Sequence, residues 1–126
     1  MAGGSCGIYG PDVSDDVLDA LDRLCGAMDE ARKTLDAMSA RASVLRDARE
    51  AGRSYTDIVT SGGHPLMVEL LTELLDTLSA AGSGFRRAEA RALHDEGLSQ
   101  ETIATHFGVT RQRVAALLTE RRATPR

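Results

Sequence analysis

Thr110-Arg111-Gln112-Arg113 sets a hydroxyl and three long hydrogen-bonding side chains in four successive positions. The planar fork of arginine matches O6 and N7 of guanine, and glutamine matches N6 and N7 of adenine, so the cluster suits the reading of base edges. Ser99 and Thr110 stand where helices are expected to begin, with Gln100 beside the first, and free N–H groups at such ends favour phosphate oxygens. Arg86, Arg87, Arg121 and Arg122 flank the stretch and add sequence-independent attraction to a phosphate backbone. Nothing comparable points to catalysis: the sequence offers no paired Ser/Arg or carboxylate constellation, and no enzyme is expected. Cys6 and Cys25 do not make a zinc site alone, and His64, His94 and His106 are not at ligand spacing with them. No metal or cofactor is expected.

The elements that must position those donors are legible around them. Phe85, Ala88, Ala92 and Leu93 share one face of a first helix that stops at Gly97. Ser99 caps a second helix, with Leu98 and Ile103 at staple spacing; Thr110 caps a third, with Val109 and Val114 likewise. Two helices crossing steeply through a short turn need a small residue at the crossing, here Ala104. They also need a residue that tolerates positive φ in the turn, here Gly108. Ile103, Val109, Val114 and Leu117 are expected to fill the wedge, which turns Arg111, Gln112, Ala115 and Ala116 outward.

The run GLSQETIATHFGVTRQRVAALL resembles the helix-turn-helix of sigma-factor region 4, and equally the C-terminal units of resolvase-type recombinases and many small bacterial regulators. The resemblance covers about 38 residues, 85–122, under a third of the chain. It implies that Arg111–Arg121 is a recognition helix entering the major groove by its N-terminal end. The chain departs from sigma region 4 at Ala115 and Ala116, where larger polar readers are usual. Base reading would then rest on Arg111, Gln112 and Arg113, with alanine left to touch a thymine methyl.

Ahead of this segment the character changes. Residues 1–84 carry 7 basic and 14 acidic side chains, net −7, whereas residues 85–126 carry 8 basic and 5 acidic, net +3. Such asymmetry separates a nucleic-acid-facing part from a part with another task. Residues 1–12 are expected to be a disordered tail without the features of a signal peptide. Ser14 is the expected cap of a long helix within 13–52, with Val13 in its staple. Two interleaved rows of apolar residues run along it: Val17, Leu24, Ala31, Met38 and Leu45, and Leu21, Met28, Leu35 and Ala42. A heptad seam of this kind must be buried, and a second copy of the chain is the simplest partner. The expected dimer contacts are Leu21, Leu24, Met28, Ala31, Leu35, Met38 and Leu45. The alternative is that Leu66–Leu78 folds back on the seam.

Residues 53–82 read as a helical hairpin. Ser54 with Asp57 starts a short helix to about Thr60, and Pro65 opens a helix whose broad Leu-rich face is expected to be centrally buried. Ala81-Gly82-Ser83-Gly84 reads as a break and linker before a domain at 83–126. An echo spans 45 positions: Gly52, Ser54, Ile58 and Gly63 align with Gly97, Ser99, Ile103 and Gly108. The expected fold class is all-α, with a long coiled-coil-like helix, short helices and a C-terminal trihelical helix-turn-helix. The expected function is that of a homodimeric, cytoplasmic, nucleoid-associated bacterial regulator bound to double-stranded DNA, with no membrane span. The alternative is an adaptor whose acidic half grips a sigma factor, polymerase or partition component.

Overall fold

A computed structural model of the chain describes residues 15–63 and 65–120. The expectations for the tail 1–12, Val13, Ser14, Cys6, His64, Arg121 and Arg122 lie outside the described residues. Within them the chain is all-helical, without a strand. The helices are α1 (Asp16–Glu50), α2 (Tyr55–Ser61), α3 (Met67–Asp95), α4 (Gln100–Phe107) and α5 (Arg111–Thr119). Asp15 caps α1: its carboxylate accepts from the N–H groups of Val17 and Leu18 at 2.9 and 3.1 Å. An acid there also suits the positive end of the helix dipole.

The chain divides into two compact units. One is Arg23–Gly84; of the described residues, the other gathers 15–22 with 85–120. In the first unit α1 and α3 run antiparallel. Thr34 Oγ1 donates to Glu73 Oε2 at 3.4 Å, while Leu45 and Ala48 line a cavity with Leu66 and Met67. The fold-back alternative therefore describes a single copy, and it splits the expected seam. Ala31 is buried and Leu24, Met38 and Leu45 are half-buried, but Leu21, Met28 and Leu35 stay exposed. Within this unit the places of Met28 and Leu35 are taken one position earlier by Ala27 and Thr34. Small side chains let two backbones approach closely, so contact follows the small residues and leaves the large ones outside.

A second correction concerns α3. Its Leu-rich part is not centrally buried: Leu70 is, whereas Val68, Leu71 and Leu75 are exposed. Nor does it break at Ala81-Gly82-Ser83-Gly84, which is unbroken helix inside Met67–Asp95. Each glycine weakens a helix by about 1 kcal/mol relative to alanine. That is a small cost in a helix of 29 residues whose neighbours are Leu and Ala. The linker expected at Ala81-Gly82-Ser83-Gly84 is helix instead.

The base of the first unit is closed by arginines. Arg41 Nη2 donates to the carbonyls of Gly62 and Gly63 at 2.8 and 2.9 Å. Arg49 lies 4.5 Å from the centre of the Tyr55 ring and donates to the Arg53 carbonyl. Gly62 has no room for a side chain, since an added Cβ would sit 2.3 Å from the Ile58 carbonyl oxygen. Gly62→Ala is expected to destabilise this unit by about 1–3 kcal/mol, read as a lower midpoint in denaturant. Gly26→Ala, which meets nothing within 4 Å, is the control and should be neutral or stabilising.

Candidate nucleic-acid interface

The second unit is built on one cluster. Ala90, Ile103, Ala104, Val114 and Leu117 are buried together, with Leu93, Leu98, Phe107 and Leu118 packed around them. From the first helix of the corner the deepest residue is Ala90, not the expected Ala88 or Ala92, which are half-buried. Val109 remains exposed and contributes less to the wedge than expected. Ala104 and Gly108 do sit as the spacing requires. Gly108 takes φ 69° and ψ 32°, and the Val109 N–H reaches back to the Ala104 carbonyl at 3.1 Å. This left-handed cap satisfies helix-end carbonyls and turns the chain within three residues into α5.

Both expected caps form. The Ser99 hydroxyl accepts from Thr102 N–H at 3.1 Å and donates to Thr102 Oγ1 at 2.9 Å. Thr110 Oγ1 accepts from Arg113 N–H at 3.0 Å. That leaves the N–H groups of Arg111 and Gln112, which no intrahelical carbonyl reaches, at the open end of α5. Val114 and Leu117 face the core, so the side chains of Arg111 and Gln112 emerge into solvent. Ala115 and Ala116 are half-buried, as is Gln100.

The arginines divide into two classes that the sequence did not distinguish. Arg111 and Arg86 are exposed. Arg87 and Arg113 are both drawn to Glu120, at 3.1 and 3.7 Å from its two carboxylate oxygens. Arg91 donates to the Glu120 backbone carbonyl as well. Glu120 is the residue sequence reasoning missed. A signal was available in the seven-residue spacing of Arg113 and Glu120, about two helical turns, although Glu120 itself caps α5 in an extended conformation. Glu120→Gln keeps the side-chain shape and the Arg91 contact but removes the charge that holds Arg87 and Arg113. It is expected to change stability by under about 1 kcal/mol, because the three side chains are partly solvated. Affinity for a polyanion should rise several-fold, checked by titration against heparin and duplex DNA.

His94 Nδ1 lies 3.2 Å from the Leu98 carbonyl at the end of α3, and His106 is exposed on α4. Among the described residues no three His, Cys, Asp or Glu side chains are grouped to hold a metal ion, and no helix is long and apolar enough to cross a membrane. Comparison with protein-family models, with curated proteins and with solved structures finds no match to this chain.

Proposed function

We propose that the chain is a double-stranded-DNA-binding regulator whose segment 85–122 is a helix-turn-helix with α5 as its recognition helix. The observation that carries this reading is the free N-terminal end of α5. A buried Val114–Leu117 face and a left-handed Gly108 hold that end outward with Arg111 and Gln112 exposed. Arg111 suits a guanine and Gln112 an adenine. Arg86 and the helix-end N–H groups take phosphates. Arg113, tied to Glu120, acts as a secondary backbone contact. Ala115 and Ala116 give the reader little further discrimination, so it works in pairs, as the copies of a homodimer on neighbouring half-sites. Its place of action is the nucleoid.

The test is fluorescence anisotropy of the full chain with random-sequence and genomic-library duplexes at low and moderate salt. Binding that weakens as salt rises supports the reading, and an absence of binding to any duplex at low salt refutes it. The acidity of residues 1–84 favours the second reading, an adaptor for a basic component of the transcription machinery. That reading gains if the chain is monomeric and does not bind DNA.

A further inference from the structure

The 45-residue echo in the sequence is also an echo in the backbone. Gly52 and Gly97 take φ of 92° and 109°, and Gly63 and Gly108 take 76° and 69°. Arg53 N–H reaches the Ala48 carbonyl at 3.2 Å, as Leu98 N–H reaches that of Leu93 at 3.1 Å. Ser54 caps α2 through Asp57 N–H as Ser99 caps α4 through Thr102 N–H, each at 3.1 Å. Ile58 and Ile103 are both buried. The same helical corner thus occurs once in each unit, with positions that correspond one to one up to the turn.

The two corners differ in how their centres are closed. Around buried Ile103 the second corner packs Leu93, Leu98 and Phe107. At the same offset the first corner has Ala48, Arg53 and Gly62: a smaller side chain, a charged one and none. All three border a cavity of about 230 Å³ beside Ile58. Leu45 and Val59, which replace the smaller Ala90 and Ala104, line it without closing it, and Val59 is 54% exposed. Gly62 cannot regain a side chain, since a Cβ there meets the Ile58 carbonyl oxygen. The hollow stands where the repeated core lacks two leucines and a phenylalanine ring.

Apart from two arginines the lining is largely apolar, with Leu66, Met67 and the Tyr55 ring completing it. An apolar cavity of about 150 Å³ takes a benzene ring, so this one admits a ring with a small substituent and a head group. The first 84 residues hold 14 acids and 7 bases. Yet among the described residues the cavity is bordered by two bases, Arg41 and Arg53, and by no acid. Arg41 donates from Nη2 to the carbonyls of Gly62 and Gly63, and Arg53 from Nη2 to the Asp57 carbonyl and the Ser61 hydroxyl. Those partners are neutral, and every guanidinium carries further N–H donors on Nε and Nη1. We propose that the cavity binds a small aromatic carboxylate, its ring in the place of the missing side chains and its carboxylate held by Arg41 and Arg53. The fork of an arginine suits two-point contact with a carboxylate. An apolar body fixed by a few polar groups is the usual make-up of a small-molecule site.

The probe is 4-methylbenzoate, titrated into the full chain without DNA and followed by backbone amide chemical shifts. Saturable shifts, largest at Ala48, Ile58 and Val59, are expected, with a dissociation constant on the order of 0.1–1 mM for a ligand of this size. The neutral isostere 4-methylbenzamide should bind about tenfold more weakly, having lost the charge-assisted contact. Ala48→Leu restores the counterpart of Leu93. It should keep the helical circular dichroism and raise the melting temperature, while weakening 4-methylbenzoate about tenfold as the cavity fills. Arg53→Leu should narrow the gap between acid and amide several-fold. The two wild-type titrations need no variant to fold, and no duplex enters them, so their outcome is separate from that of the proposed function. Shifts still unsaturated at about 10 mM 4-methylbenzoate, equal affinity for the amide, shifts centred away from these residues, or full binding by folded Ala48→Leu would each overturn the proposal.

Discussion

Arg111→Ala is expected, on the proposed function, to weaken DNA binding by about 5- to 150-fold, the equivalent of the ~1–3 kcal/mol carried by one bidentate base contact. Gln112→Ala should cost a comparable amount at a different base position, and the double variant should bind no sequence better than random duplex. The reason lies in the way α5 is held. Thr110 caps the helix and Val114 and Leu117 are buried, which leaves Arg111 and Gln112 exposed at the outward end. Arg113→Ala is expected to matter less, because its guanidinium is shared with Glu120. Quantitative gel shifts on a selected site and on random DNA check this. If Arg113→Ala costs more than Arg111→Ala, the assignment of readers is wrong.

Ile103→Ala should cost about 2–5 kcal/mol, the range for truncating a fully buried aliphatic side chain. Ile103 is fully enclosed at the centre of the cluster that joins α3, α4 and α5. Its loss should unfold the corner that presents Arg111, so the proposed DNA binding should disappear although no donor has been touched. Ile58→Ala, at the matching position of the other unit, should lower stability while leaving the Arg111 corner folded. Thermal melts followed by circular dichroism, together with amide exchange at Val114 and Leu117, separate the two outcomes. Rapid exchange at Val114 and Leu117 is expected in the first variant alone.

Much of the corner could be read in the sequence because its determinants are local. Ser54, Ser99 and Thr110 each cap through a hydrogen bond to a residue three positions on, and Gly108 occupies a conformation that disfavours other residues. The long helices were less legible. Hydrophobic periodicity in α1 selected Met28 and Leu35, whereas the contact within Arg23–Gly84 follows Ala27 and Thr34. A pattern of hydrophobicity reports what a residue prefers, not how near another backbone can come. Likewise Gly82 and Gly84 carry the signature of a break, but helix on both sides carries through them. The pairing of Glu120 with Arg87, 33 residues away, exists only once α5 is packed beside the end of α3.

Glu120 has one more consequence, in the entropy of association. An arginine that meets a phosphate ordinarily lets condensed cations leave the nucleic acid, and their dispersal makes binding fall steeply with salt. At Arg87 and Arg113 the competing anion is covalently attached to the protein and stays within a few ångströms whichever partner the arginine takes. On the proposed reading, Glu120 is a tethered counter-ion. Its local concentration does not change with the buffer, so these two arginines contribute less to the salt slope than free ones would. It also waits beside each contact as that contact opens, which shortens the time the protein remains at any one site. A reader built this way would sample DNA quickly and remain only where Arg111 and Gln112 find their bases.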